Sequence, residues 1–97
     1  MPPANTSGPL SGLDLRYVLT TYLVREGPLN VARLVALLHR DGFEVRGRPS
    51  KAVSDALRWE VARRRVVRTS RATYAIGTIP RSTARRIRAR SDALHQH

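Results

Sequence analysis

The sequence predicts an α+β fold that is mostly helical, with three helices, then a β-hairpin, then a further basic helix. Apolar residues recur at helical spacing as far as residue 61, and after residue 65 the spacing shortens to about two residues. The length of 97 residues suits one small domain with a single hydrophobic core. It is too short for the two-lobed cleft of most metabolic enzymes.

The first two predicted helices have signals at both ends. Ser11 and Asp14 have the spacing of a capping box, and Gly27-Pro28 ends the helix that follows. Asn30 is a suitable N-cap for the second helix, which Asp41-Gly42 ends. The predicted core stripes are Leu15, Val18, Leu19, Tyr22 and Leu23, then Val31, Leu34, Val35 and Leu38. We therefore expect two amphipathic helices that share one core.

The third predicted helix starts at Pro49-Ser50, with Ser50 as its N-cap. Its core face is formed by Val53, Leu57 and Val61. The opposite face carries Lys51, Asp55 and Arg58, with Ser54 and Trp59 beside it. We interpret Trp59 as a core or inter-helix anchor, which is the usual role of a lone tryptophan at the edge of a helix stripe.

A β-hairpin follows, with strands at residues 66–69 and 72–76 and a turn at residues 70–71. Residues 81–94 have helical spacing, but Ile87 and Leu94 are their only large apolar members. We therefore expect a flexible segment over residues 1–10 and a folded domain over residues 11–79. Residues 80–97 should form a basic tail that is partly helical.

The positive charge is confined to one half of the chain. Lysine and arginine outnumber aspartate and glutamate by 18 to 7, so the formal net charge is +11. Residues 1–45 hold four bases and four acids, whereas residues 46–97 hold 14 bases and three acids. The excess thus falls on the third helix, the hairpin and the tail. A charge of this size indicates a polyanionic partner.

This order of elements is that of a winged helix, in which the third helix enters the DNA major groove and the hairpin touches the backbone or adjacent minor groove. We therefore expect double-stranded DNA as the partner. The candidate DNA-binding residues are Arg48, Lys51, Ser54, Arg58, Arg65, Arg68, Arg71, Arg81, Arg85, Arg86 and Arg88. The simpler alternative for the helix residues is a solvated face. For the Arg63-Arg64-Arg65 run, phosphate binding and interaction with the helix dipole remain equally open.

Several motifs in residues 27–76 carry a family resemblance. They are an aliphatic helix over residues 31–39, the step Gly42-Phe43-Glu44-Val45, a third helix with a basic outer face, and strands that end in Tyr74-Ala75-Ile76. This stretch resembles the globular domain of the linker histones. The resemblance implies a winged helix that binds DNA, with Arg58 at the position of a phosphate-contacting base. The family has a lysine near the position of Ser54 and a longer, glycine-rich wing.

The residue types that the sequence lacks exclude several classes of function. The chain lacks cysteine, which excludes disulfides and thiolate chemistry, and its histidines lack the spacing of metal ligands. No residue set predicts catalysis, so we expect no enzyme activity, cofactor, metal or small-molecule substrate. No apolar run approaches the length of a membrane span, and we expect a cytoplasmic, nucleoid-associated protein, with a monomer favoured.

Two roles fit DNA binding, namely a nucleoid-associated architectural protein and a small transcriptional regulator. The length leaves little room for a separate ligand-binding or dimerisation domain, which favours the architectural role. The alternative is an RNA- or protein-binding module that uses the arginine-rich tail.

Overall fold

A computed structural model of the chain describes residues 9–96 and has an α+β fold that is mostly helical. The helices are α1 (Gly12–Glu26), α2 (Val31–Arg40), α3 (Pro49–Ala62) and α4 (Arg81–His95). The strands are β1 (Leu29–Asn30), β2 (Val66–Ser70) and β3 (Thr73–Ile76), and they form one antiparallel sheet in the order β1-β3-β2. This layout is compatible with that of a winged helix.

The predicted helix caps are confirmed at α1 and α2. Ser11 Oγ accepts a hydrogen bond from the Asp14 amide at 3.2 Å, and Asn30 Oδ1 accepts one from the Arg33 amide at 2.7 Å. The predicted cap at Ser50 is wrong, because α3 already begins at Pro49 and its N-cap is Arg48, which makes no side-chain cap bond. Proline fits the first helical position because it has no amide hydrogen to satisfy there.

The core is centred on α1, whose predicted stripe is buried along its whole length. It packs against Leu34, Leu37 and Leu38 of α2 and against Val53 and Leu57 of α3. Leu10, within the segment expected to be flexible, is buried as well, and its amide donates to the Glu44 carbonyl at 2.8 Å. Pro9, in the same segment, is exposed. Residues 1–8, for which a flexible segment was also expected, and residue 97 lie outside the described residues.

The hairpin forms as predicted, but its turn is one residue later, at Arg71-Ala72. Ala72 adopts a positive φ of 59°, and a register shift falls between Arg68 and Ser70. β3 is the central strand because it also pairs with β1, where Tyr74 is opposite Leu29. Tyr74 and Ile76 pack against the core from the inner side of the sheet, which attaches the hairpin to the helices.

The basic tail is a 15-residue helix, α4, that packs on α1. Ile87, Ser91 and Leu94 are buried along one face. Arg90 donates two hydrogen bonds to the Asp14 carboxylate, at 3.0 and 2.9 Å. The thin apolar stripe predicted only partial helix formation. It is sufficient in the folded chain because α1 offers a complementary face and because an ion pair at the helix edge supplements the apolar contacts.

Candidate nucleic-acid interface

The basic residues divide into two groups according to whether a carboxylate lies within 4 Å. All four bases in the first half of the chain have such a partner. The pairs are Arg16 with Glu60 at 4.0 Å, Arg25 with Asp92 at 3.9 Å, Arg33 with Glu26 at 3.9 Å, and Arg40 with Asp41 at 2.9 Å. The charge of this half is therefore locally balanced as well as balanced in sum.

Among the described residues, only four of the 14 bases in the second half have a carboxylate partner. Within residues 9–96, the other ten are arginines without one, and each of them is exposed. They are Arg46, Arg48, Arg63, Arg64, Arg68, Arg71, Arg81, Arg85, Arg86 and Arg88. Seven of these were predicted as DNA-binding residues, and the three that were not are Arg46, Arg63 and Arg64. We call these ten residues the unpaired arginines.

The outer face of α3 carries its own acid. Lys51 Nζ donates to Asp55 Oδ2 at 2.9 Å, and Arg58 Nη1 lies 4.0 Å from Asp55 Oδ1. The hydrogen bond from Lys51 lowers the pKa of Asp55, which is therefore ionised at neutral pH. Arg58 is 81% exposed in its side chain, so its guanidinium is free to leave Asp55 for another acceptor. Ser54 is half-buried at the edge of this face.

Arg65 has a structural partner. Its Nε and Nη2 atoms donate to Glu60 at 3.0 and 2.7 Å, and its side chain is 16% exposed. Glu60 is fully buried and also accepts from Thr20 Oγ1 at 3.3 Å. The sequence contained a signal for this pair, because Glu60 lies on the apolar face of α3 with Ala56 and Leu57, where a carboxylate requires a partner. The guanidinium of Arg65 is therefore engaged by Glu60 inside the fold.

The turn after α3 directs Arg63 and Arg64 outwards while Arg65 points in. Arg64 adopts a positive φ of 62°. Its carbonyl accepts from the Thr78 amide at 2.9 Å, and the Arg65 carbonyl accepts from the Gly77 amide at 2.7 Å. A Cβ at residue 77 would lie 2.5 Å from the Arg64 carbonyl oxygen, so this close approach requires glycine. The chain after the hairpin thus fixes the arginine turn.

The hairpin and α4 present the remaining predicted residues. Arg68 is on β2 and Arg71 is in the turn, and both are exposed. On α4 the exposed, unpaired arginines are Arg81, Arg85, Arg86 and Arg88. The buried face of α4 contacts α1, so these four guanidinium groups are held on a packed helix.

Trp59 is 58% exposed, so its interpretation as a core anchor is wrong. The Arg16 and Arg63 guanidinium carbons lie 5.5 and 5.0 Å from its ring centroid, which is the range of cation–π interactions. Two cations therefore flank the indole ring at the surface. Helical spacing alone places Trp59 at the edge of the buried face of α3, and it does not determine whether the ring is buried in the core or exposed to solvent.

A polar cluster joins the ends of α2 and α4. Asp41 accepts from the Tyr22 hydroxyl at 2.6 Å and lies 3.0 Å from His95 Nε2, while His95 Nδ1 lies 2.8 Å from the Ser91 carbonyl. Burial alone would raise the pKa of Asp41, but hydrogen bonds from Arg40, Tyr22 and His95 lower it to about 2. Burial, together with the bond to Asp41, raises the pKa of Tyr22 far above its usual range. This cluster is a structural clamp.

Over residues 9–96, no group of three or more histidine, cysteine, aspartate or glutamate side chains is arranged to hold a metal ion. In the same part of the chain, no helix combines the length and the apolar character that a membrane crossing requires. The chain matches no protein-family model, no curated protein and no solved structure.

Proposed function

We propose that this protein binds double-stranded DNA as a winged helix, with α3 in the major groove and the β2–β3 hairpin on the phosphate backbone or in the adjacent minor groove. The observation that carries the proposal is the set of ten unpaired arginines, all exposed and all between residues 46 and 88. A guanidinium without a carboxylate partner can bind phosphate without first breaking an ion pair.

On α3 the proposed contacts are Arg48 at the N-cap, then Lys51, Ser54 and Arg58 along the helix. Arg58 is the base reader, because its exposed guanidinium can leave Asp55 and match the O6 and N7 acceptors of guanine. Asp55 holds Lys51 and lies near Arg58, so it limits their rotation and disfavours a phosphate at its own position. On the hairpin, Arg68 and Arg71 contact phosphate or enter the minor groove.

The resemblance to linker-histone globular domains favours an architectural, nucleoid-associated role over that of a regulator. Genomic footprinting separates the two roles, because a discrete motif indicates a regulator and uniform protection indicates an architectural protein.

A second candidate is RNA binding through α4, which the four exposed arginines of that helix favour. The two candidates differ in which arginines matter. DNA binding through α3 and the hairpin depends most on Arg58, Arg68 and Arg71. RNA binding through α4 depends on the four exposed arginines of that helix, Arg81, Arg85, Arg86 and Arg88.

The main test is a gel-shift titration of the purified chain against duplex DNA, single-stranded DNA and RNA at several salt concentrations. We expect duplex DNA to bind most tightly, with contacts to about six to ten phosphates and a slope of log K on log salt of about −0.9 per phosphate. Preference for RNA would favour the second candidate, and binding that is insensitive to salt would contradict both.

A pair of variants then locates the surface. Replacing Arg81, Arg85, Arg86 and Arg88 together by alanine should weaken duplex binding moderately and flatten the salt slope, whereas Arg58→Glu should weaken it more. Deletion of α4 is a poorer test, because Ile87 and Leu94 are buried against α1 and their loss would destabilise the fold. If the α4 variant loses all binding and Arg58→Glu loses none, α4 is the principal surface.

A further inference from the structure

A groove of about 810 Å³ lies between the start of α1 and one side of α3. Its lining is mostly apolar, and the side chains that matter most are Leu10, Leu13, Val45, Ala52, Ala56 and Trp59. The proposed DNA-binding residues Arg58, Arg68 and Arg71 do not line it. Its size is in the range of concave ligand-binding sites.

Two large apolar side chains lie exposed in this groove on different elements. Leu13 of α1 is 46% exposed and Trp59 of α3 is 58% exposed, and both belong to the lining. An exposed apolar side chain by itself is ordinary, but two that meet in one concave surface are typical of a binding site. Tryptophan is also the residue type that contributes most to interface hot spots.

The charge around this apolar floor is positive. Arg16, Arg46 and Arg63 line the groove, and Asp55 is the one acid in the lining. Arg46 and Arg63 belong to the unpaired arginines, and Arg16 and Arg63 flank the Trp59 ring. A ligand that fits this groove therefore combines apolar groups for the floor with negative charge for the edge.

We propose that the groove binds an acidic peptide segment of another protein, with one or two large apolar anchor residues between its aspartates and glutamates. The anchors pack on Leu13 and Trp59, and the carboxylates pair with Arg46 and Arg63. Phosphodiester backbone is a poor match, because it would cover the apolar floor without burying apolar surface of its own.

The groove lies beside the proposed DNA surface, and Asp55 borders both, because it lines the groove and pairs with Lys51 and Arg58. Successive residues of an α-helix project about 100° apart, so Trp59 and Arg58 lie on different sides of α3. Arg46 and Arg63 are not among the proposed DNA contacts of α3 and the hairpin, although both belong to the unpaired arginines. The groove does not depend on DNA binding being correct, because its apolar floor lies outside the proposed DNA contacts.

The test is a selection from a random library of 12-residue peptides, with the full-length protein as target. Because a net charge of +11 attracts acidic peptides everywhere, a counter-selection uses the Leu13→Ser, Trp59→Ala double variant, which keeps every charge. We expect the surviving peptides to be rich in Asp and Glu and to contain Leu, Phe or Met. No enrichment, or enrichment of basic peptides, would overturn the proposal.

A selected peptide that lacks tryptophan is then titrated while the fluorescence of Trp59, the one tryptophan in the chain, is recorded. We expect a saturable blue shift as the ring leaves water. Leu13→Ser and Arg46→Glu should each weaken binding at least tenfold. The matched controls are Val24→Ser, at another exposed apolar residue, and Arg33→Glu, at a paired arginine, and both should change it less than twofold.

Circular dichroism of each variant checks that the fold is retained. Equal weakening by the groove variants and their controls would overturn the proposal. A different oligomeric state in the Leu13→Ser variant would also overturn it, because that result would assign the groove to a second copy of the chain. Loss of duplex DNA binding in Leu13→Ser would assign the groove to the DNA interface instead and would also overturn it.

Discussion

The arginines before residue 45 and the bases after it differ in what their charged groups face. Each of the four in the first half has a carboxylate within 4 Å, whereas ten of the 14 in the second half have none among the described residues. The two halves share the same interior, since α1 of the first half packs on α3 and α4 of the second. The difference is therefore one of surface and not of separate domains.

This contrast shows that net charge alone does not locate a binding surface in a basic protein. A paired arginine such as Arg65 or Arg90 uses its guanidinium to hold two elements together, and its loss affects the fold. An unpaired, exposed arginine such as Arg71 has no structural partner in residues 9–96, and its loss affects binding. The predictions below test this division, in order of decreasing effect.

The largest effect is expected where a buried pair is broken. Glu60→Ala leaves Arg65 without its carboxylate in a position that is 16% exposed, so we expect the free energy of unfolding to fall by about 3–5 kcal/mol. Urea unfolding followed by circular dichroism measures it. Asp92→Ala, which removes the partner of Arg25 at the surface, is the control and should cost less than about 1 kcal/mol. Similar losses for both would contradict the distinction.

The second prediction concerns the unpaired arginines. Arg68→Glu with Arg71→Glu should weaken duplex DNA binding about 100-fold at moderate salt, through loss of phosphate contacts and added repulsion. Thermal stability should stay within a few degrees of the parent. The matched control is Arg25→Glu with Arg33→Glu, which makes the same charge change at paired positions. If both double variants lose the same affinity, the effect is one of net charge and the unpaired set has no special role.

The third prediction uses pH. The pKa of Asp41 is lowered to about 2, so its ionised carboxylate stabilises the folded state by about 2 kcal/mol at any pH above about 4. This stabilisation is lost as the pH falls from about 4 to about 2. Asp41→Asn should lose that amount at neutral pH and should have a shallower decline in acid. Unfolding curves at several pH values measure both. Glu44→Gln, where no base pairs with the carboxylate in residues 9–96, is the control and should cost less than about 1 kcal/mol at neutral pH.

The smallest effect is expected for two arginines that lie one turn apart on α4. Arg90→Ala removes a partly exposed bidentate pair with Asp14 and should destabilise the protein by about 1 kcal/mol. Arg86→Ala should leave stability unchanged and reduce the salt slope of DNA binding by about one phosphate contact. The reverse outcome, with stability lost at residue 86 and the slope changed only at residue 90, would contradict the division.

Much of the fold could be predicted because its signals are local. The caps at Ser11 and Asn30 act on amides three residues away, and the change from helical to alternating spacing marks the hairpin within a few residues. The N-cap of α3 was misplaced at Ser50 instead of Arg48, because serine is a good N-cap residue. The helix began at proline, and no side chain was needed to cap it.

The candidate site was only partly predictable. The sequence indicated which stretch holds the excess charge, and seven of the ten unpaired arginines were in the predicted set. Local spacing could not show that Arg65 turns towards Glu60, that Trp59 lies on the surface between two arginines, or that α4 is ordered on α1. Each of these depends on how the helices are arranged in space.

The sequence by itself determined the order of the elements, the apolar faces of the first two helices and the division of charge at residue 45, because these depend on neighbours in the chain. On α3 the prediction was wrong for Val61, which is 36% exposed and not part of the core face. The tertiary structure decided which charges are neutralised, since Arg90 and Asp14 are 76 residues apart and His95 and Asp41 are 54 apart. A guanidinium is available to a partner only if folding brings no carboxylate to it, and this requires the distances between helices.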